Sequence, residues 1–270
     1  MDKKILWPIL ALLFIGLVAI FYPRRASEPP VPLELPDPAP VVAPDFPPPA
    51  EPEPEPAFVA AAPPESLPPL PALDESDAEA RAALADAAGA ELVEGHLAPD
   101  ALLRKLVATV DNLSGDTIWM KTRVVPQQQG LFLVEGPEDA RYIAPANYAR
   151  YTPLVKLVEA VDTTRLAAAY QRHYPLLQEA YEELGYPGRQ FHNRALEVID
   201  HLLATPIVED PIRLEQPHVV YKYADPRLEA LSSGQKALIR IGPENSRIVR
   251  NKLIEFRAAI EVLSGTPVPD

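Results

Sequence analysis

Apolar positions recur at helical spacing over most of the carboxy-terminal part of the chain. From Pro99 to about Leu113, residues Leu102, Leu103, Leu106, Val107, Val110 and Leu113 fall on one face. A longer stripe, Leu166, Tyr170, Tyr174, Leu177, Tyr181 and Leu184, predicts a helix opened near Asp162, bent at Pro175 and stopped by Gly185. Phe191, Leu196, Ile199, Leu202 and Leu203 mark another helix that halts before Pro206. The last predicted helix opens at Pro243, a residue suited to a first turn, and closes near Gly265. Upstream, "SDAE" (Ser76 to Glu79) has the letters of a capping box and opens an alanine-rich helix that Gly89 can end. The helical period lapses between Thr117 and Tyr142, where "TRVVP" and "LFLVE" read as short extended segments. Two more are expected at Ile212 to Leu214 and Val219 to Tyr223.

The amino terminus has no polar face at all. Lys3 and Lys4 precede an 18-residue run without charge, Ile5 to Tyr22, which at ~1.5 Å per residue spans ~27 Å and matches a bilayer core. Tyr22, Pro23, Arg24 and Arg25 stand where a cleaved leader needs small residues, so the run reads as an uncleaved anchor. Lysines on one side and arginines on the other nearly balance the positive-inside count. The lack of any Lys or Arg from Ala26 to Ala80 favours an inside amino terminus and an outside remainder.

Composition changes the picture only between anchor and domain. Of 34 prolines, 18 lie between Ser27 and Asp74, and residues 26–80 hold twelve acidic residues. That stretch therefore supplies twelve of the thirteen net negative charges. Proline fixes φ and removes a donor, so the segment is an extended, polyproline-like arm with an upper reach of ~150 Å. Residues 81–270 carry 21 basic against 25 acidic residues, leaving no basic surface for nucleic acid. The organisation is an anchor (1–25), a Pro/Glu-rich linker (26–75), an alanine-rich helix and connector (76–98), and a domain (99–265). The fold class is mainly α: a single transmembrane helix, a disordered proline-rich linker, and a helical domain with a few short strands. The absence of cysteine fits an oxidising compartment.

Candidate chemistry is sparse. "LSSGQK" (Leu231 to Lys236) contains Ser-x-x-Lys, in which Lys236 would take the proton of Ser233 in an acylating enzyme. Its companion motifs are missing, since no serine has Asn two residues later. Read one register earlier, Ser232 to Gln235 is a Ser-x-x-Gln capping box before the apolar "ALIRI". Glu197 and His201 share a helix face near His192 and Asp200, but recognised ligand spacing is lacking. Glu179, Glu182 and Glu183 fall on the polar side opposite the tyrosine stripe, which makes them a solvated face. No catalytic residue, metal site or cofactor is expected.

Nine of the ten tyrosines lie between Tyr142 and Tyr223. Those sharing the leucine stripe belong to the core. Tyr148, Arg150, Tyr151, Tyr223 and Arg240 have the residue types of a binding rim, a rigid ring with a polar tip beside guanidinium groups.

The phrases "DNLSG", "NYARYTPLV", "HYPLLQEAYEELGYP", "DHLLATP" and "VVYKYADPRLEALSSGQKALIRIGPEN" together resemble the bacterial envelope family catalogued as domain of unknown function 3014. The resemblance spans about Leu102 to Leu263 and implies a membrane-anchored envelope protein with a helical domain; it implies no activity. The sequence thus reads as an inner-membrane, single-pass protein whose domain lies in the periplasm and binds an envelope protein or peptidoglycan. The alternative is an envelope enzyme acting on peptidoglycan or its precursors.

Overall fold

The computed structural model describes residues 68–117, 122, 124, 132–217 and 220–264. The predicted anchor and nearly all of the arm lie outside these residues. Among them, no helix is long and apolar enough to cross a membrane.

A 3-10 turn at Leu73–Glu75 is followed by helices α1 (Asp77–Ala88), α2 (Ala90–His96) and α3 (Leu102–Asn112). Then come strands β1 (Val134–Glu135) and β2 (Arg141–Ile143), and helices α4 (Ala146–Glu159), α5 (Thr163–Glu183) and α6 (Phe191–Leu203). Strands β3 (Arg213–Glu215) and β4 (Lys222–Tyr223) and helices α7 (Pro226–Glu229), α8 (Ser233–Arg240) and α9 (Pro243–Ser264) complete the order. The described region is mainly helical with a few short strands.

The central helix is α9, which packs on α4, α5, α6 and α8. Its apolar stripe Val249, Leu253, Phe256 and Ile260 is fully buried. Its cations cap neighbours: Arg250 donates to the carbonyls of Leu203 (2.7 Å) and Thr205 (3.0 Å) at the end of α6, and Lys252 to Val161 O at 3.0 Å.

Helix α5 begins where the sequence places it. The Asp162 side chain accepts from the amides of Thr164 and Arg165, satisfying two first-turn donors. Pro175 lies on its exposed side, and Gly185 follows its end at φ +100°. Leu166, Tyr170, Tyr174, Leu177 and Tyr181 are buried. Leu184 is not: it caps the helix and is 43 % exposed, because the stripe loses its register where the helix stops at Glu183. All six residues of the stripe predicted on α3 are buried.

Two local readings are corrected. Ser76 does not form a capping box. It has helical backbone angles and donates from Oγ to Leu73 O at 2.7 Å, while Glu79 serves Arg172 on α5. Residues 68–75, read from composition as the end of the linker, lie on the domain, with Leu73 buried and Leu70 packed against the core.

The four strands form one antiparallel sheet in the order β1-β2-β3-β4. Register pairs Val134 with Ile143, Arg141 with Leu214, and Leu214 with Tyr223. Ile143, Ile212, Leu214, Tyr223 and Ile239 make a second, smaller core, and Glu135, Arg213 and Glu215 face outward, as a half-buried sheet requires. Of the extended segments expected from sequence, "LFLVE" contains β1 and the later pair became β3 and β4. "TRVVP" lies largely outside the described residues, and β2 was not foreseen. Edge strand β4 is blunted because its outward amide, Tyr223 N, donates to Glu229 Oε2 of α7 at 3.0 Å.

Candidate functional site

Ser-x-x-Lys turns out to be an assembly of structural bonds. Ser232 Oγ accepts from Gln235 N at 3.2 Å, and Gln235 Oε1 accepts from Ser232 N at 3.3 Å, the complete capping box of α8. Ser233 is 2 % exposed, and its hydroxyl donates to Asn112 O at 3.2 Å. Lys236 Nζ is paired with Glu229 Oε1 at 3.2 Å. The nearer Ser–His pair, Ser232 Oγ and His201 Nε2 at 2.8 Å, is no better placed for acyl transfer. Ser232 is 7 % exposed and its oxygen is occupied as a helix cap. Ser232→Ala is expected to destabilise the fold by ~1 kcal/mol in equilibrium unfolding, the usual value of such a cap.

The helical ligand candidates are likewise engaged separately. Glu197 pairs with Arg194 at 3.4 Å and Asp200 with Arg257 at 2.6 Å. His192 is buried, hydrogen-bonded through Nδ1 to the Tyr170 hydroxyl at 3.0 Å, and pushed down to about 4 by burial. Among the described residues no group of three His, Asp or Glu side chains is placed to hold a metal ion. Glu179, Glu182 and Glu183 are exposed, as expected of a solvated face, with Glu183 bonded to Arg104 at 2.5 Å.

The tyrosine and arginine residues come from three elements and are linked in pairs: Arg240 with Tyr223, Arg150 and Arg240 with Tyr151, and Tyr223 with Tyr148. Tyr148, Arg150 and Tyr151 lie on α4, Tyr223 on β4, and Arg240 at the end of α8. Two buried asparagines align α4. Asn147 accepts from Leu133 N (2.9 Å) and donates to Leu133 O (2.6 Å), taking the place of a strand beside β1. Asn245 donates to Tyr148 O (3.0 Å) and Ile241 O (2.9 Å), tying α4 to the turn between α8 and α9.

The cluster is not the rim expected from residue type. Tyr151 is 5 % and Tyr223 1 % exposed, so these two rings are buried, Tyr151 in the main core and Tyr223 in the smaller one. They turn inward because α4, packed on α9, buries Tyr151 in the main core and because the β4 register sets Tyr223 beside Leu214. Only Tyr148, Arg150 and Arg240 are half-buried. Tyr148 donates to Asp210 Oδ1 at 2.6 Å, and burial followed by that carboxylate pushes its phenol far above the usual range. Burial also raises Tyr151, against the charges of Arg150 and Arg240. It pushes Tyr223 up to about 12, opposed by Arg240, whose Cζ sits 5.3 Å from the centre of the Tyr223 ring. All three phenols stay protonated at neutral pH, which suits hydrogen bonding and cation–π contact rather than nucleophilic or general-base chemistry.

Sequence reasoning missed a second half-buried group at the sheet. Arg141 Nη1 donates to the Tyr221 hydroxyl at 2.8 Å, and the Phe132 ring lies 6.1 Å from that of Tyr221. An arginine in a three-residue strand carries no periodic signal, so nothing in the sequence marked it. It also missed Asp210, which becomes Tyr148's partner only through the fold.

Comparison with known proteins adds one result. No curated protein and no solved structure matches the chain. A family profile matches residues 102–257, which takes in α3 to most of α9, both aligning asparagines and every member of the tyrosine–arginine cluster. With more than half of its length matched, the chain belongs to the family described as "Protein of unknown function (DUF3014)".

Proposed function

We propose that this chain is an interaction module, anchored in the inner membrane and carried into the periplasm on its acidic arm, that binds another envelope component through Tyr148, Arg150 and Arg240. One observation carries the reading: the half-buried Arg240 lies over the buried Tyr223 ring and, with half-buried Arg150, bears on buried Tyr151, while half-buried Tyr148 packs on the same small core as Tyr223. Arginine and tyrosine backed by a rigid apolar wall are the residue types that anchor interfaces. The serine, lysine, histidine and carboxylate candidates, by contrast, are engaged in bonds that build the fold. The apolar run at residues 5–22 and the proline-rich arm supply the envelope context.

A photo-crosslinking amino acid at Ala149, exposed between Tyr148 and Arg150, tests this in intact cells, with the same probe at exposed Glu159 as the control. A discrete adduct is expected from position 149 alone, and it should vanish when Arg150 and Arg240 are both replaced by glutamate. Equal adducts from both positions, or an adduct indifferent to the charge reversal, would sink the reading.

A further inference from the structure

We propose that residues 68–101 form a hinged cover over the adjoining faces of α3 and α5, swinging about Ala101 and released by protonation of His173. The hinge is visible in the backbone. Ala101, at φ +49°, is the one non-glycine residue with positive φ among the described residues, a conformation that a Cβ disfavours. It is held there from α1: the Asp77 carboxylate accepts from Ala101 N and Leu102 N, both at 2.7 Å. Asp77 thus caps α3, whose N-cap position has no capping side chain of its own. The family match begins at Leu102, immediately after the hinge. Beyond it, α3 has anchors independent of the cover. Arg194 of α6 binds Asp111 at 2.7 Å, and the amides of Ser233 and Gly234 bind the carbonyls of Gly115 and Leu113.

The far end of the cover is latched on α5. Arg172, its side chain 6 % exposed, donates to Pro68 O at 2.6 Å and to Glu79 Oε1 at 3.1 Å. Beside it, His173 is buried, with Nε2 3.8 Å from the same Glu79 oxygen, beyond hydrogen-bond reach. Under the closed cover two cations would have to share one carboxylate in a site that excludes water. Burial therefore pushes His173 down to about 4, with Arg172 adding to it and a hydrogen bond to the Ala169 carbonyl opposing. Among the described residues, Glu79 from α1 and Arg172 from α5 itself are the charged groups that bear on this ring. Pro68 offers only its carbonyl, and the cover's 3-10 turn, which also packs on α5, carries exposed Glu75 and Asp74, the latter paired with Arg104 of α3 at 2.6 Å, a second link that opening must break. The other helices on α5 meet it elsewhere: α3 through Arg104 and Glu183, α6 through His192 and Tyr170, and α9 through Lys252 and Glu255 near Thr163.

With the cover open, His173 meets water and returns to 6.5. Between 6.5 and 4 the open form then binds more protons than the closed one. Closure is full above about 6.5 and weakens as pH falls toward 4. From pH 7.5 to 5.0 the ratio of open to closed should rise roughly 25-fold. Opening moves the joint between arm and domain from Pro68 to Ala101, so acid lengthens the tether and bares the apolar face that Leu73, Leu84 and Val93 cover.

The test is hydrogen exchange on the full-length protein in detergent at pH 7.5 and 5.0, corrected for intrinsic exchange rates. Amides of α1 and α2 should lose protection roughly 25-fold at pH 5.0 while α6 and α9 keep theirs. His173→Gln should abolish the change, and Asp77→Asn should open the cover already at pH 7.5. Equal protection of α1 at both pH values, loss shared by α9, or a pH response that survives His173→Gln would overturn the proposal. Should His173→Gln fail to fold, the wild-type comparison of α1 with α9 still decides.

Discussion

Replacing Gly234 by alanine is expected to destabilise the domain by about 3 kcal/mol, far more than the loss of either serine beside it. A Cβ built at Gly234 would lie 2.6 Å from Leu202 Cδ2 and 2.7 Å from Leu113 O. The leucine side chain can yield; the carbonyl cannot, because it is bonded to Gly234's own amide at 2.9 Å. Relief of the overlap must therefore pull α8 away from the end of α3, lengthening that bond and the one from Ser233 N to Gly115 O at 2.8 Å. The sum is an overpacking cost of ~2 kcal/mol and ~1 kcal/mol for a weakened buried hydrogen bond. Ser233→Ala removes only the hydroxyl bond to Asn112 O and should cost ~1 kcal/mol. Denaturant unfolding of both variants distinguishes the readings of "SSGQK". If these residues join helices, stability falls in that order. Were Ser233 a reactive residue on an accessible surface, both substitutions would leave stability nearly unchanged, and that result would reject a structural role for the motif.

The elements legible in the sequence are those whose cause is local. The stripes of α3, α5 and α6 can be read because each helix buries one continuous face, α9 from its opening proline and closing glycine, and the Ser232–Gln235 box because all its partners lie within four residues. Ser76 and Glu79 have the spacing of such a box but fail, since a 3-10 turn precedes them and Arg172, 93 residues away, takes the glutamate. Distance in sequence also hid the docking of residues 68–75. Proline content describes how a free chain behaves, whereas Leu70 and Leu73 are held by α5 and the core. Strand β2 has three residues and exists through its two neighbours, so no local pattern marks it. The candidate site divides the same way. Residue type identified Tyr148, Arg150 and Arg240, but the inward turn of Tyr151 and Tyr223 depends on helix packing and strand register.

Gly242→Ala is expected to cost 3–4 kcal/mol and to disable the tyrosine–arginine face at the same time. Gly242 sits at φ +87° in the turn joining α8 to α9, and an added Cβ would fall 2.5 to 2.8 Å from three atoms of the Tyr148 ring. That ring is fixed at both ends. Its hydroxyl donates to Asp210 at 2.6 Å, and its backbone carbonyl accepts from Asn245 at 3.0 Å. The substitution therefore combines ~1–2 kcal/mol for a left-handed residue carrying a Cβ with ~2 kcal/mol for displacing a packed ring. Gly185→Ala separates the two contributions. It has a similar φ of +100° but nothing within 4 Å of the added Cβ, so it should lose only the conformational part. Equilibrium unfolding should then show a gap of about 2 kcal/mol between the variants, and the crosslink from Ala149 should fail in Gly242→Ala while surviving in Gly185→Ala. Equal losses would mean that the Tyr148 ring does not lean on this turn. A crosslink that survives in Gly242→Ala would mean that the partner does not need Tyr148 where the fold holds it, and that the binding face lies elsewhere on the domain.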